Sequence, residues 1–539
     1  MGWYGRRIFT NGVIHTLAPN ARPAAAIAVA GDRVAYVGDL DEARRGLPGA
    51  EEIDLGGGTA LPGFIDAHNH FLATGESLQA LDVRFPAVGS TAELMAAVAT
   101  AARTVPARGW IRAAGFDHAK YPGPAPTRWD LDRVAGEHPV AVQHVSGHYV
   151  LVNSLVLRER GIADTAADPR GGAFARDGRG VVTGLCQDTA MELVLPAMVD
   201  IGGHGPNFHT RATAEELVAA VDRAGRAFLA AGLTTVCDPQ VTARELPAYR
   251  AARAAGQLHV RTACMPLSHQ LDAAERLGLA SGLGDDELWL GAMKFYADGS
   301  LIGGSAAFTE PYGAHGELSG TLFWEPAQLT ALVTRAHRLG WQVGVHAQGD
   351  RAIQMVLDAI EAALASAPRA DSRHRIEHAG YPTPAQIDRL ARLGVVSVNQ
   401  PTYLHDFGDQ FLARLGPRAH RLMPLRDQLR AGVEVVLSSD SDVASYRPLE
   451  TIAHAVRRRT REGSPIGADQ ALTVAQAVRA HTVAAARALC REDRIGSIRA
   501  GTLADLVVLD HDLLALAPEA VPEVAVTMTV RGGRVVHPV

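Results

Sequence analysis

At 539 residues, with 47% hydrophobic and 20% charged residues, the chain has the composition of an ordinary globular protein large enough for more than one domain. A net charge of −6 leaves no cationic footprint for nucleic acid, and no Lys/Arg-rich run marks an anionic membrane surface. No uninterrupted apolar run reaches the roughly 18 residues of a spanning helix; the N-terminal residues lack a secretory apolar core, and Cys186, Cys237, Cys264 and Cys490 have neither disulfide nor metal spacing, so a reducing cytoplasm is the expected location.

Residues 7–60 read as a small all-β unit. Arg7–Thr10 and Val13–Thr16 alternate apolar and polar residues around Asn11-Gly12, the pattern of a hairpin. Ala25–Ala30 and Arg33–Val37 flank a second turn at Gly31-Asp32. Leu61–Asp66 is then a short buried strand that stops just before His68 and His70. In extended chain, residues i and i+2 project to one side, so both imidazoles can converge on one point, as a first-row metal requires. Such a pair is weak evidence alone; its weight comes from later strand ends.

From about 75 to 210 the chain is too long for a single strand-to-helix connection. It carries strand candidates at Trp110–Gly115 and Val140–His144, and a Gly-rich segment, Gly171–Gly184, that turns at Asp177-Gly178. This stretch reads as an insertion lobe. Beyond it, apolar runs alternate with helical stretches: Thr234–Asp238, His259–Met265, Gly291–Ala297, Gln342–His346, Arg375–His378, Val395–Asn399 and Val433–Ser438 bring the strand candidates to eight. Helices are expected over Thr213–Ala231, opened by the capping pattern Thr213-Ala214-Glu215-Glu216, and over Pro326–Leu339 and Arg351–Ala365. The far C-terminus returns to short strands at Ala504–Asp510, Val524–Val530 and, after Gly532-Gly533, Arg534–Val536.

This α/β pattern predicts a (β/α)8 TIM-like barrel with its chemistry at the C-terminal strand ends. The expected organisation joins 1–60 with 485–539 in a composite β-sandwich domain. Residues 61–484 form the barrel, with 75–210 as the insertion lobe after its first strand.

The strand ends test that reading. Lys294 lies inside the apolar run Gly291–Ala297, His346 and His378 end two later strands, and Asp440 directly follows Val435-Val436-Leu437-Ser438-Ser439. Chance supplies one or two such residues, not this set at one mouth. Asp440 is placed at the rim, whereas Asp442 falls in the loop beyond. Each histidine has a bland alternative as a hydrogen-bonded core residue, and Lys294 has one as a buried amine paired with a carboxylate such as Asp298. A lysine held in an apolar strand has its protonated form disfavoured, so its pKa falls.

At these motifs the chain resembles the amidohydrolase superfamily, in particular amidohydrolase family 3, the branch that includes N-substituted formamide deformylases. The resemblance runs through Pro62-Gly63-Phe64-Ile65-Asp66-Ala67-His68-Asn69-His70, Lys294-Phe295-Tyr296-Ala297-Asp298-Gly299-Ser300, Val345-His346-Ala347-Gln348-Gly349-Asp350, Ile376-Glu377-His378, Ser439-Asp440 and the tail Gly496–Asp505. It implies that His68, His70, His346, His378 and Asp440 are metal ligands and that Lys294 is a bridging lysine, carboxylated in many relatives. Ser146-Gly147-His148-Tyr149-Val150 resembles a Gly-His motif of the family's lobe, which makes His148 a candidate oxyanion donor beside its alternative as a hydrogen-bonded loop histidine.

Nitrogen and oxygen ligands without cysteine suit zinc, as one or two ions, with other divalent metals open. Metal coordination lowers the pKa of water from 15.7 to about 7. The resulting hydroxide would attack a carbonyl while Asp440 carries the proton to the leaving nitrogen. The expected function is therefore a metal-dependent amidohydrolase cleaving a non-peptide C–N bond, amide or formamide, of a small-molecule substrate. Two alternatives stay open: a ring deaminase or cyclic-amide hydrolase of the same superfamily, and a non-catalytic metal-binding relative. No nucleic acid or membrane partner is expected, and a homodimer is a base-rate expectation only.

Overall fold

The apolar runs of the second half become strands buried on both faces, which is why they read as near-continuous Val, Ile and Ala rather than alternating. A computed structural model describes residues 5–538 apart from 21, 146, 148, 170, 171, 196, 197 and 208. The chain divides into two compact units. One comprises Met1–Phe71, Gly225–Thr242 and Ala255–Val539; the other comprises Leu72–Ala224 and Ala243–Ala254.

The first unit holds two parallel sheets. One orders Leu288–Leu290, Arg261–Pro266, Leu233–Val241 and Phe64–Asp66. The other orders Met293–Tyr296, Val343–Ala347, Arg375–His378, Val396–Asn399 and Val435–Leu437. Leu267, just past the first sheet, bridges to Lys294 in parallel register. At the opposite edges, Asp440 N–H donates to His68 O at 2.8 Å and His70 N–H to Ser441 O at 2.6 Å.

The helices between these strands form for local reasons. Pro384–Leu393 starts with proline in its first turn and a capping box in which Thr383 and Gln386 exchange hydrogen bonds. Asp350–Ser366 buries Ile353, Val356, Leu357 and Ile360, the three- and four-residue spacing of one helical face. Each such side chain contributes about 1.5–3 kcal/mol by leaving water. The capping box expected at Thr213 also forms, with Glu216 N–H on Thr213 Oγ1 and Thr213 N–H on Glu216 Oε2, and the helix spans Ala214–Ala230.

The chain ends meet in the same unit. A four-stranded sheet orders Arg33–Gly38, Ala26–Ala30, Arg6–Thr10 and Glu51–Asp54, and a five-stranded sheet orders Val13–Ile14, Thr59–Pro62, Leu506–Leu509, Val526–Arg531 and Arg534–His537. Thr59–Pro62 pairs antiparallel with Leu506–Leu509, so strands from both ends of the sequence share one ladder. Phe9, Ile27 and Val29 pack with Ala60, Leu506, Val508 and Val530 in one apolar cluster.

Two sequence expectations are corrected here. The turn at Asn11 forms, with φ of 58°, but Arg6–Thr10 and Val13–Ile14 are not a hairpin. The first pairs with Ala26–Ala30 and Glu51–Asp54, the second with Thr59–Pro62. Asn-Gly reverses the backbone locally, but the sheets on either side of the apolar cluster decide which strand each arm joins. Likewise Leu61–Asp66 is not one strand: Thr59–Pro62 and Phe64–Asp66 belong to different sheets, and the chain passes between them at Gly63. A Cβ there would lie 2.3 Å from Thr234 Oγ1, so only glycine allows the crossing. The run Leu288–Leu290, which the sequence reading left out, also pairs as a strand.

The second unit is built on a six-stranded mixed sheet ordering Gly172–Arg176, Val182–Asp188, Tyr149–Val152, Val140–His144, Ile111–Phe116 and Leu81–Asp82. Val140–His144 falls where expected and the Trp110–Gly115 strand shifts by one residue. The turn at Asp177 is held by its carboxylate, which accepts the N–H groups of Arg179 and Val181, each at 2.9 Å. No helix among the described residues is long and apolar enough to cross a membrane.

Candidate metal centre

Asp66 ends its strand as an anchor. Its Oδ1 accepts Ser439 N–H at 3.0 Å and its Oδ2 accepts Asn69 Nδ2 at 3.0 Å, lacing the chain after Phe64–Asp66 to the chain after Val435–Leu437. That lacing brings His68 and His70 onto Asp440. His68 Nε2 lies 3.2 Å and His70 Nε2 3.1 Å from Asp440 Oδ1. Ligand atoms of the three buried side chains lie within 4.8 Å of one another. Asp440, and not Asp442, joins this cluster.

The orientation of His68 is set from behind. Its Nδ1 donates to Glu377 Oε2 at 2.5 Å, which turns Nε2 toward Asp440. Glu377 is gripped by Arg375, whose Nε bonds to Oε1 and whose Nη2 reaches Oε2 at 2.8 Å and Ala67 O at 2.7 Å. Burial opposes the charge on Glu377, and Arg375 with His68 outweighs it, holding the carboxyl well below the usual range. Arg375 and Glu377 are two residues apart on one strand, the same same-side spacing that singled out His68 and His70. Sequence reasoning passed over that signal.

His378 stands in the same way. Its Nδ1 donates to Gln400 Oε1 at 2.8 Å, and Gln400 Nε2 in turn donates to Ser438 Oγ at 2.9 Å. The His378 ring centroid lies 5.1 Å from that of His68 and 4.4 Å from that of His346. His346 is held by the opposite nitrogen: Nε2 donates to Gly299 O at 3.0 Å. Burial pushes His378 down to about 3, and burial followed by the neighbouring His378 and Lys294 pushes His346 well below its ordinary value. Both are neutral imidazoles, the form that ligates. His378 has φ of 74° and Asp440 φ of 54°. Left-handed backbone at non-glycine residues costs about 1–3 kcal/mol each, and it falls here on two residues of the cluster.

Lys294 is fully buried, 4.5 Å above the Tyr296 ring, and its Nζ has no hydrogen-bond partner among the described residues. Burial pushes it down to about 8, against the pull of Glu377 and Asp440. The pairing with Asp298 weighed from sequence does not form, because Asp298 accepts three main-chain N–H groups instead. Burial nevertheless pushes the Asp298 carboxyl up to about 7. A second residue that sequence reasoning missed is Tyr403, whose Oη donates to Asp440 Oδ2. Its ring stacks on His378 at 6.3 Å and 16°. For Asp440, burial opposes the charge, and His68 and His70 beside it outweigh burial, so the carboxyl is held well below its ordinary value. His148 lies outside the described residues.

Neutral imidazole nitrogens, a buried carboxylate and an orphaned buried amine are a donor set that fits a divalent cation, because buried polar atoms otherwise find partners in the protein. Residues 51–537 match the family model described as Amidohydrolase family. The chain is 32% identical over 530 residues to the N-substituted formamide deformylase of Arthrobacter pascens, covering 96% of each protein. It is 31% identical to protein LONG AFTER FAR-RED 3 of Arabidopsis thaliana, covering 93% of this chain and 86% of that one. Among solved structures, an uncharacterized metal-dependent hydrolase from Pyrococcus horikoshii OT3 aligns with a TM-score of 0.78 and 26% identity over 96% of this chain and 99% of its own. A family match along nearly the whole sequence, on a fold of the same kind, establishes that the chain belongs to the amidohydrolase family.

Proposed function

We propose that this chain hydrolyses a non-peptide C–N bond, in an amide or formamide, of a small molecule. The convergence of His68 and His70 on Asp440 carries the reading. His68, His70, His346, His378, Lys294 and Asp440 would hold one or two divalent cations. Zinc suits these nitrogen and oxygen donors best, and Lys294 as a carbamate would supply an anionic bridge. A bound cation supplies the charge that polarises a carbonyl and acidifies water.

The chain's own groups supply the rest. Asp440 takes a proton from the attacking water and passes it to the departing nitrogen, while the Tyr403 hydroxyl on its Oδ2 fixes the carboxylate's orientation. Glu377 and Gln400 hold His68 and His378 in fixed tautomers. His148 is our candidate for the donor to the developing oxyanion.

We read the two parallel sheets as one eight-stranded (β/α)8 barrel. In support, Leu288–Leu290 and Met293–Tyr296 keep the same neighbour across the Gly291-Ala292 break, through Gly291 N–H on Cys264 O and the Leu267–Lys294 bridge, and so count as one interrupted strand. Residues 1–60 with 485–539 would form the β-sandwich, and 75–210 the insertion lobe. The free cysteines agree with a cytoplasmic location.

The test is product analysis with a panel of N-substituted formamides and small N-acyl amines. Release of a carboxylate and an amine, abolished by chelation and restored by zinc, supports the reading. Ammonia released from a ring substrate, with no turnover of the acyclic panel, overturns it.

A further inference from the structure

Asp298 lies two residues beyond the strand Met293–Tyr296, is wholly buried, and is not in the donor set above. Both of its oxygens are acceptors. Oδ2 takes Ala307 N–H at 2.8 Å and Gly349 N–H at 3.0 Å, and Oδ1 takes Gln348 N–H at 3.0 Å. Ala307 belongs to the loop after the Lys294 strand, whereas Gln348 and Gly349 belong to the turn after the His346 strand. One carboxylate therefore ties two loops that leave neighbouring strands.

The loops interlock around this point. Gln348 Oε1 accepts Leu301 N–H at 2.8 Å, and Ala307 O accepts Arg351 N–H at 3.2 Å. A Cβ on Gly349 would stand 2.0 Å from Ala307 O, so the backbones touch directly. The next residue after Asp298, Gly299, presents the carbonyl that receives His346 Nε2 at 3.0 Å, and Asp298 Oδ1 lies 3.6 Å from the same nitrogen. With Nε2 committed to the loop, Nδ1 is the atom His346 has left to offer.

We propose that Asp298 is a positioning residue for His346. By locking the two loops it holds the Gly299 carbonyl against Nε2 and so fixes the tautomer that presents Nδ1 to a cation. The inference rests on the reading of His346 as a ligand. The partners that orient a ligating histidine typically affect metal affinity or activity by about 10–100-fold when removed.

Asp298→Asn is the informative change. It keeps the volume but turns an NH2 group toward a main-chain N–H at one oxygen or the other, because both oxygens accept. Metal content by plasma emission and zinc affinity by chelator competition are measured for wild type, Asp298→Asn and His346→Asn, with circular dichroism as the check on folding. We expect Asp298→Asn to weaken zinc binding about 10–100-fold, in the same direction as His346→Asn. Unchanged affinity in Asp298→Asn, with loss in His346→Asn, overturns the Asp298 role alone. Unchanged affinity in both variants overturns the ligand reading of His346 and the inference with it. A measurement on the wild-type chain covers the case of a misfolded variant: in its 15N-histidine spectrum, with metal stripped, His346 should be the Nε2–H tautomer. An Nδ1–H form overturns the proposal.

Discussion

Two clusters of buried histidines sit at opposite ends of the same parallel strands, and they use their nitrogens differently. At the starts of Val343–Ala347 and Arg375–His378, His374 Nδ1 accepts Val343 N–H at 3.0 Å, His374 Nε2 meets His337 Nδ1 at 2.9 Å, and His337 Nε2 donates to Ala367 O at 2.6 Å. All four ring nitrogens are bound to protein. At the other ends, His68, His346 and His378 each spend one nitrogen on a carboxylate, a carbonyl or an amide; His68 turns its other nitrogen toward Asp440, and the His378 ring lies 5.1 Å from that of His68 and 4.4 Å from that of His346. Burial alone does not distinguish a ligand from a structural histidine. What sets the second cluster apart is the buried carboxylate of Asp440, which stands opposite the Nε2 atoms of His68 and His70.

The comparison breaks most sharply at Asp440. If Asp440 carries the proton, Asp440→Asn should lower kcat by about 10²–10⁴-fold, the usual weight of a positioned acid–base group, while circular dichroism and thermal unfolding stay close to wild type. A variant that turns over at the wild-type rate would leave Asp440 as a ligand only. Tyr403→Phe is the smaller cut at the same carboxylate. It removes one hydrogen bond to a charged oxygen and keeps the ring stacked on His378. A bond of that kind is worth about 1.5–3 kcal/mol, so kcat should fall about tenfold or more with metal content unchanged. A loss of metal in Tyr403→Phe would instead show that the hydroxyl holds the cation site together.

What the sequence revealed follows the same division. Strands buried on both faces are legible because their apolar runs are long and their ends are marked by chemistry: Arg375–His378 was delimited to the residue, and Val343–Ala347 to within one. The His68-x-His70 pair was legible because both side chains lie on one local stretch. Glu377, Gln400 and Tyr403 were not, because their meaning depends on partners far away. Glu377 stands 309 residues from the imidazole it orients. The Asn11-Gly12 turn misled for the opposite reason: its local conformation is as read, but the pairing of its arms was decided by sheets that the turn residues do not touch. The pairing of Lys294 with Asp298, four residues on, was the bland alternative in the sequence, and it fails because three main-chain N–H groups from two loops bind the aspartate's oxygens.

The other histidine cluster should answer to pH rather than to substrate. Burial, reinforced by the Arg369 guanidinium and by His337, pushes His374 down to about 3 from the ordinary value of 6.5. Between these values the unfolded chain binds a proton that the native imidazole refuses, so stability rises with pH across the window. The contribution is complete above pH 6.5 and is lost as pH falls toward 3. At pH 5 the loss amounts to about 2 kcal/mol from this one group. His374→Gln removes the titration, although it also disturbs the bond to Val343 and lowers stability at every pH. Urea unfolding at pH 7.5 and pH 5 separates the two effects: wild type should lose about 2 kcal/mol more than the variant on acidification, and kcat at pH 7.5 should be unchanged. Parallel losses in the two proteins would mean that His374 is already protonated when buried, and that the closed hydrogen-bond chain through His337 is not the neutral structure its nitrogens describe.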